Sequence, residues 1–277
     1  MNNTKYRNLD SNELTTLHQL LLNILVDIKR VCNKNNLEFF LGEGTLLGCI
    51  RHNGFIPWDD DADIYMKRKD YDKFLIIAQK ELGSNYEVQS PQTVHPYWST
   101  FIKVRLIKDT QGMVQQHIVH LTENCGPCID IFPLEYVAHN NSFKEHWQCF
   151  CIKTLRWSIM YKLKAWPITN IKSFTLNLIG KIIKYDTLQS LIDKSYRLQG
   201  DDERLYIAGF STYHRFRNII WPAYYFSETI NHSFENTEMP IPKEYDSLLK
   251  RTYGDYMILP PEEKRVGGHQ YKIKISE

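Results

Sequence analysis

The feature that most constrains this chain is a set of acidic residues inside the otherwise apolar stretch FIPWDDDADIYM. Asp59, Asp61 and Asp63 lie two positions apart. Because side chains two apart in a strand point the same way, a strand over residues 61–66 would place Asp61 and Asp63 on one face, with Asp59 near them. Carboxylates this close repel one another unless a cation lies between them. The pattern therefore predicts a cation site at the start of a packed strand.

Two other interpretations of these acids fit less well. In an EF-hand register that begins at Asp59, Ile64 would occupy the position that needs glycine, and Asp70 the position of the bidentate glutamate. A solvated acidic loop is the ordinary explanation of a charge run, but the apolar residues on both sides favour a packed element. Mg²⁺ is commonly held by a few carboxylates together with substrate phosphates. We therefore expect a Mg²⁺ site for phosphoryl chemistry, with Mn²⁺ as the alternative ion.

A glycine-rich turn precedes the acids. Gly42, Gly44 and Gly48 surround Thr45 directly after a short apolar segment, residues 37–41, that is predicted to be a strand. A turn and short helix after a strand would present backbone N–H groups, which suit a phosphate. Glycines occur in many turns, so an ordinary turn remains the alternative.

A further acid, Asp130, lies in the apolar segment CIDIFPLE, which is predicted to form a strand. Burying a lone carboxylate is costly, so Asp130 needs a partner, and a bound cation would supply one. A hydrogen-bonded structural aspartate is the alternative. Two carboxylates on one strand, a Gly-Thr turn before them and an acid from a later strand are the layout of a nucleotidyltransferase-type site, where one or two Mg²⁺ ions stabilise an in-line displacement.

Hydrophobic periodicity predicts an α+β fold, with a sheet flanked by helices and followed by a helical second portion. A capping box of Asp10 and Glu13 predicts the start of the first helix. Further predicted helices cover 69–82, 143–166, 171–185, 188–198 and 242–253, predicted strands cover 86–89, 99–106, 113–121 and 129–134, and the tail before 242 is expected to be irregular. We predict a catalytic core over residues 1–140 and a mainly helical acceptor-side portion over 141–277, with one continuous domain as the alternative.

Four separated blocks of the chain resemble one known family. The stretch GTLLGCIRHNGFIPWDDDADIYMKRKDYDKF is similar to the signature of the LicD family, phosphocholine transferases of bacterial surface glycans that are related to the fukutin-type proteins. The segments FIKVRLIKDT, CIDIFPLE and PIPKEYDSLLKRTYGDYMILPPEEKR resemble its other conserved blocks in the family's order. The resemblance runs from about residue 15 to the end, although residues 140–220 carry little of it.

This resemblance implies a nucleotidyltransferase-like catalytic core built on a mixed sheet. It also implies transfer of phosphocholine from CDP-choline to a sugar hydroxyl, with release of CMP. It implies that Asp61 and Asp63 are the principal metal ligands and that Asp59 is a nearby ligand or supporting acid. Asp130 would complete the metal site or take the proton of the attacking hydroxyl. Gly44 and Thr45 would belong to the phosphate-facing turn, and Asp60 is expected to face away.

Basic and aromatic side chains have physical roles beside these acids. A pyrophosphate under attack needs cations besides the metal, and the candidates are Arg51, His52, Lys103 and Arg105, although at least one of them is expected to be structural. A choline group has no proton to donate, so aromatic faces recognise it. The candidate aromatic residues are Trp58, Tyr71, Tyr97, Trp98, Trp221, Tyr224 and Tyr225.

The cysteines allow two interpretations. Cys125, Cys128, Cys149 and Cys151 form two close pairs about twenty residues apart, which suits a structural Zn²⁺. However, the second pair has tighter spacing than is usual and lies in a predicted helix, so buried free thiols are the favoured interpretation. The motif Cys-Gly-Pro-Cys resembles a redox motif, but a strand rather than a helix follows it.

The distribution of charge and the first residues of the chain indicate which partners and which location to expect. The net charge is +2, but nine basic residues stand against two acids between residues 151 and 200. This excess suggests a face for phosphates, an acidic glycan or a membrane, with solvated helix faces as the alternative. A membrane-surface helix over 143–166 is a further alternative to a core helix. The first residues show no signal pattern, so we expect a cytoplasmic protein, at the inner face of the membrane in one version of this hypothesis.

We therefore predict an enzyme with a CDP-choline donor and a glycan or lipid-linked glycan acceptor of the lipopolysaccharide, teichoic acid or capsule type, and no nucleic acid partner. Another CDP-alcohol donor, such as CDP-ribitol or CDP-glycerol, and nucleotide transfer remain alternatives. A non-catalytic glycan- or membrane-binding protein on a transferase scaffold is the alternative of a different class. Intact acids at 59, 61, 63 and 130 argue against it.

Overall fold

The fold was analysed in a computed structural model that describes residues 5–137, 143–196, 205–209, 219–267 and 271–275. The helices in these ranges are α1 (Ser11–Lys34), α2 (Glu43–His52), α3 (Arg68–Leu82), α4 (Phe143–Lys162), α5 (Ile171–Ile182), α6 (Tyr185–Tyr196) and α7 (Tyr245–Tyr253). The strands are β1 (Lys5–Asn8), β2 (Phe40–Leu41), β3 (Asp63–Lys67), β4 (Tyr86–Gln89), β5 (Ile102–Leu106), β6 (Met113–Gln115), β7 (Cys128–Val137), β8 (Tyr206–Ala208), β9 (Ile220–Pro222), β10 (Thr229–Phe234), β11 (Thr237–Pro242) and β12 (Tyr271–Ile275).

The main sheet is mixed. Its central strands follow the order β2-β3-β7-β5-β4, and β3 and β7 run parallel while the other neighbours are antiparallel. The second half of β7 also pairs with β8, which in turn pairs with β9. This arrangement confirms the predicted α+β class. It also places β3 and β7, which carry the predicted acids, side by side at the centre.

Helix α1 covers the sheet as the periodicity predicts. The Asp10 side chain accepts a hydrogen bond from the Glu13 backbone, and the Glu13 side chain accepts one from the Asp10 backbone, so the capping box is confirmed. Leu17, Leu21 and Ile28 are fully buried along one face of the helix. That face packs against α3 and strands β5 and β7, so apolar burial holds α1 in place.

The structure corrects several predicted boundaries. Strand β3 begins at Asp63 rather than at residue 61, and β5 begins at 102 rather than 99. The predicted strand 113–121 ends at Gln115 and continues as a 3₁₀ turn. The tail before residue 242 is not irregular, because β8, β9, β10 and β11 lie there. Strands β8 and β9 have three residues each, and β9 and β11 contain prolines, which weakens the periodic signal.

The predicted helical portion is confirmed over residues 143–196, where α4 packs against both α5 and α6. The predicted boundary at residue 140 lies outside the described residues. Strands β8 and β9, which follow that boundary in sequence, extend the main sheet. The division into two units therefore stays a prediction. No described helix combines the length and the apolar character needed to cross a bilayer.

The two ends of the described chain meet beside the main sheet. Strand β12 lies between β1 and β6 and pairs antiparallel with each. The buried Tyr271 hydroxyl accepts a hydrogen bond from the Cys128 backbone N–H at 2.9 Å, at the start of β7. The C-terminal strand thus supports the start of β7, the central strand that carries Asp130.

Gly48 offers a test of how α2 is packed. A Cβ atom at this position would lie 2.5 Å from the Gly54 carbonyl oxygen and 3.0 Å from the Ile56 nitrogen. Because backbone atoms cannot move aside easily, we expect Gly48→Ala to lower the free energy of unfolding by about 1–3 kcal/mol in urea denaturation.

Gly44→Ala is the matched control in the same helix. Its added Cβ would meet the Asp59 side-chain oxygen Oδ2 at 2.9 Å, which can rotate away. We expect it to change the free energy of unfolding by less than about 1 kcal/mol. A Gly48→Ala protein as stable as the wild type would contradict the described packing.

Candidate active site

The sheet register brings the predicted acids together. Asp63 is the first residue of β3 and lies opposite Asp130 on the parallel strand β7. Asp130 in turn lies opposite Lys103 on the antiparallel strand β5. Residues paired across neighbouring strands project to the same face, so these three side chains stand in a row across the centre of the sheet. Asp61, two residues before Asp63, approaches the same row.

The acids raise one another's pKa values. Burial first, and then the charges of Asp59, Asp60 and Asp130, hold the pKa of Asp61 well above its usual range. Burial and the charges of Asp61 and Asp130 do the same for Asp63. Burial and the charge of Asp60 raise the pKa of Asp59 to about 6, while a hydrogen bond with Asp61 opposes the rise. The cluster therefore resists carrying all of its negative charges without a compensating cation.

The repulsion among these carboxylates would be relieved by a hard cation. The positions of the side chains limit how many of them could hold the ion at once. Within the described residues, no three His, Cys, Asp or Glu side chains are already arranged around a common metal position. Mg²⁺ is often bound by only one or two carboxylates that share it with substrate phosphates. Asp61 and Asp63 suit that mode, with Asp59 beside them. A metal bound here would neutralise carboxylate and phosphate charge.

Asp130 has a cation of its own. The Lys103 ammonium contacts both Asp130 oxygens, at 2.5 and 2.6 Å. Burial is the largest influence and lowers the pKa of Lys103, but the charges of Asp130 and Cys128 and the hydrogen bond to Asp130 together outweigh it, so that pKa lies above its usual value. The structure therefore gives Asp130 and Lys103 as an ion pair beside the Asp61 and Asp63 carboxylates.

The turn before the acids is the first turn of α2. Gly42 is the N-cap residue, and the Thr45 hydroxyl accepts a hydrogen bond from the Asp63 backbone N–H at 2.8 Å. Thr45 thereby anchors the start of β3 to the helix. Gly44 allows the Asp59 carboxylate to approach the helix backbone. The positive end of the helix dipole is thus directed toward the acids, where it favours carboxylate or phosphate charge.

Glu43 is a site residue that the sequence analysis missed. Its buried carboxylate accepts hydrogen bonds from the Tyr65 hydroxyl and, at 3.3 Å, from the Tyr253 hydroxyl of α7. It also contributes to the raised pKa of Asp63. The sequence signal for Glu43 is an acid between two glycines in the predicted turn. Glu43 links the C-terminal segment to the acid cluster.

His117 is a second residue that was missed. It lies in the 3₁₀ turn Gln116–Ile118 after β6. Desolvation of the ring and the charges of Lys103 and Arg105 lower its pKa, although the residue retains exposed surface. His117 therefore interacts electrostatically with Lys103, Arg105 and Asp130. A single histidine in a predicted strand carried no signal for this position.

The four predicted cationic residues take different positions. Buried Arg105 donates hydrogen bonds to Gln89 and Gln115, each at 2.9 Å, and to the Gly126 carbonyl, so its guanidinium joins β4, β5, β6 and the loop before β7. Arg51 donates to the Tyr256 carbonyl at 3.0 Å. Arg51 and His52 lie at the C-terminal end of α2, about 10 Å along the helix from Gly44. Of the four, only Lys103 contacts an acid of the cluster.

Most candidate aromatic residues belong to the core. Tyr71, Tyr97, Trp98 and Trp221 are all buried. Trp58, adjacent to Asp59, is half-buried, and the Arg265 guanidinium lies 5.8 Å from its ring centroid. Tyr224 and Tyr225 retain exposed surface on a 3₁₀ turn. Trp58 is therefore the candidate that lies nearest the acids along the chain and still has an accessible face.

The cysteines are not gathered as a zinc site within the described residues. Cys125 packs in a small cluster with Tyr97 and Trp98, whereas Cys149 packs in the main core. The four candidate cysteines are thiols rather than disulfides, and burial raises the pKa of Cys125, Cys128 and Cys151. Asp60, for its part, accepts a hydrogen bond from the Tyr271 backbone N–H at 3.2 Å, so its carboxylate is directed to β12.

The Lys103–Asp130 ion pair generates a stability prediction. Lys103→Met should lower the free energy of unfolding by about 3–5 kcal/mol, because it leaves the Asp130 carboxylate buried without its cation. Adding Asp130→Asn should restore most of that loss. Urea denaturation of both single variants and the double variant measures the coupling.

The control for this cycle is Lys250→Met, which removes an exposed ion pair with Asp246 (N–O distance 2.7 Å). It should cost less than about 1 kcal/mol. Strictly additive effects of Lys103→Met and Asp130→Asn would show that the two side chains do not depend on each other.

Comparisons with known proteins bear on the family of this chain. The family model described as LicD/FKTN/FKRP, nucleotidyltransferase domain, matches residues 36–177, which include the acid cluster, Lys103 and Asp130. The chain is 30% identical over 273 residues to the lipopolysaccharide cholinephosphotransferase LicD of Haemophilus influenzae, an alignment that covers 93% of this chain and 97% of that protein.

Two shorter matches are to uncharacterised proteins of Rickettsia. One, from Rickettsia typhi, is 42% identical over 65 residues, or 23% of this chain and 21% of the relative. The other, from Rickettsia prowazekii, is 39% identical over 66 residues, or 24% and 23%. The family match over half of the chain and the near full-length relative lead to one conclusion: this chain belongs to the LicD family.

Proposed function

We propose that this chain is a phosphotransferase that moves phosphocholine from CDP-choline to a hydroxyl of a cell-surface glycan precursor and releases CMP. The relative that aligns over nearly the full length is named for cholinephosphate transfer to lipopolysaccharide, which supports the transferred group and the acceptor class. The observation that carries the proposal is the row of Asp63, Asp130 and Lys103 across β3, β7 and β5, with Asp61 beside it.

In this proposal the acceptor hydroxyl oxygen forms a bond to the phosphorus that bears choline. The bond from that phosphorus to the bridging oxygen breaks, and the electron pair leaves with CMP. Mg²⁺, or Mn²⁺ in its place, would be held by Asp61 and Asp63, with Asp59 in support, and would neutralise charge on the phosphates. Asp130 accepts the proton of the attacking hydroxyl.

Lys103 has two effects on this step. Its ammonium holds both oxygens of the Asp130 carboxylate in position, and the same ammonium can reach a phosphate oxygen placed between the strands. The N-terminal turn of α2, with Gly44 and Thr45, adds backbone N–H groups to the phosphate side. Arg105 takes no part in the proposal, because its guanidinium is buried and bonded to Gln89, Gln115 and Gly126.

The donor head group and the location are parts of the same proposal. Trp58 offers an aromatic face beside Asp59 for the quaternary ammonium of choline. The reaction takes place on the cytoplasmic side, on a glycan or lipid-linked glycan that is exported afterwards. A lipopolysaccharide precursor is the first acceptor to test, followed by teichoic acid and capsule precursors.

The direct test is release of CMP by the purified protein with Mg²⁺, a glycan acceptor and a panel of CDP-alcohols. CDP-choline should be used in preference to CDP-ribitol and CDP-glycerol, and product mass should show added phosphocholine. Release of CMP from another donor alone would identify a different phospho-alcohol. Folded protein that turns over no donor with any of the acceptors would contradict the proposal.

Variants of the acids supply a sharper prediction. Asp61→Asn and Asp63→Asn should each lower kcat/KM for CMP release at least about 1000-fold, because several kcal/mol of transition-state charge stabilisation would be lost. Asp60→Asn is the matched control, since it removes one charge from the same segment but at a carboxylate directed to Tyr271. It should retain activity within about tenfold. Equal losses in all three variants would indicate a general charge effect rather than a metal site.

A further inference from the structure

Helix α5 presents an unusual outward face. Four of its large apolar side chains follow one another at spacings of three, four and four residues, which places them on one side of a helix. Their exposed fractions are 85% for Ile171, 59% for Phe174, 47% for Leu178 and 74% for Ile182. We call these four residues the α5 stripe. A continuous row of exposed apolar residues is uncommon on a surface that faces only water.

The opposite face of α5 packs against α4, and this packing fixes the direction in which the stripe faces. Ser173, Leu176 and Gly180 are on the buried side, and a Cβ at residue 180 would lie 2.5 Å from the Ser158 carbonyl of α4. Asn170 and Ser173 cap the N-terminus. The Lys162 ammonium of α4 donates to the Gly180 carbonyl at 2.6 Å and to the Ile183 carbonyl at 3.2 Å. The helix is therefore held with its apolar stripe outward.

The charge around the stripe has a single sign. Residues 162–185 contain five lysines and no arginine, aspartate or glutamate. Lys172 and Lys181 lie on α5 itself, and Lys184 follows its end. All three are exposed by residue, as are Lys164 and the apolar Ile168 in the loop before the helix. Within residues 162–185 the exposed apolar side chains are thus flanked in sequence by lysines, and the first acid after them is Asp186 in α6.

We propose that the α5 stripe and its flanking lysines dock on an anionic membrane surface. An interfacial helix places its apolar face in the headgroup region while lysines beside it contact anionic lipid phosphates. A protein partner fits less well, because lysine is depleted in protein interfaces. At twelve residues α5 is about 18 Å long, so it lies along the surface and does not cross it.

This proposal is independent of the chemistry assigned to the acids. It concerns a surface that none of Asp61, Asp63, Asp130 and Lys103 belongs to, and binding of vesicles requires no donor or acceptor. It concerns a different helix from residues 143–166, for which the sequence analysis gave a membrane-surface helix as the alternative to a core helix. If the transferase proposal holds, docking through α5 would bring the enzyme to lipid-linked acceptors.

Vesicle sedimentation of the purified full chain tests the proposal. The protein should bind vesicles of phosphatidylcholine with phosphatidylglycerol and should bind pure phosphatidylcholine far more weakly. The double variant Ile171→Ser/Ile182→Ser should lower the partition coefficient more than tenfold, because each large side chain withdrawn from water contributes more than about a factor of ten. Lys181→Gln/Lys184→Gln should lower it about 25-fold, at about fivefold per lysine.

Helix α3 supplies matched controls, since Ile76 is 81% exposed and Lys73 and Lys80 are exposed on the same helix. Ile76→Ser and Lys73→Gln/Lys80→Gln should leave the partition coefficient within about twofold. Thermal unfolding of every variant checks that the exposed substitutions keep the fold.

Three results would overturn the proposal. The first is a wild-type protein that does not sediment with anionic vesicles. The second is a loss of binding in the α3 controls equal to that in the α5 variants. The third is vesicle binding unchanged by the α5 substitutions while the native mass in light scattering falls from dimer to monomer, which would make the stripe an interface between copies of the chain.

Discussion

The concentration of negative charge at the centre of the main sheet is the constraint on which the rest of the structure depends. The register of β3 and β7 places Asp63 directly beside Asp130, and the chain before β3 adds Asp59 and Asp61. Carboxylates in such surroundings are costly to ionise together. Lys103 offsets the charge of Asp130 by pairing with it. The positive end of the α2 dipole stabilises negative charge on the other acids. Negative charge that these groups do not offset is what the proposed divalent cation would neutralise.

Distant parts of the chain converge to hold this cluster in place. Thr45 ties α2 to the first residue of β3, and Glu43 in the same turn accepts hydrogen bonds from Tyr65 and from Tyr253 in α7. Tyr271 in β12 contacts Cys128, two residues before Asp130. Removal of the C-terminal segment would therefore disturb the acids directly. Tyr253 lies in the last block of the family resemblance, so this block contacts the site although it lies about two hundred residues after the first block.

Much of the site could be predicted from local pattern. The spacing of Asp61 and Asp63 within apolar residues, and the single acid Asp130 in a buried strand, required only the two-residue period of a strand and the cost of burying charge. The role of Arg105 could not be predicted in this way. Arg105 lies two residues after Lys103, on the same face of β5. Its guanidinium nevertheless donates hydrogen bonds to Gln89, Gln115 and Gly126, which only the tertiary fold brings together. Glu43 was missed for the same reason, since its partners lie 22 and 210 residues away.

The central claim is that the acid cluster binds a divalent cation jointly with a phosphate. Electron paramagnetic resonance of free Mn²⁺, titrated into the protein with and without CMP, measures this most directly. We expect saturable Mn²⁺ binding that CMP strengthens and that Asp61→Asn removes. Wild-type protein that leaves Mn²⁺ free in the presence of CMP, or binding that Asp61→Asn leaves unchanged, would contradict it.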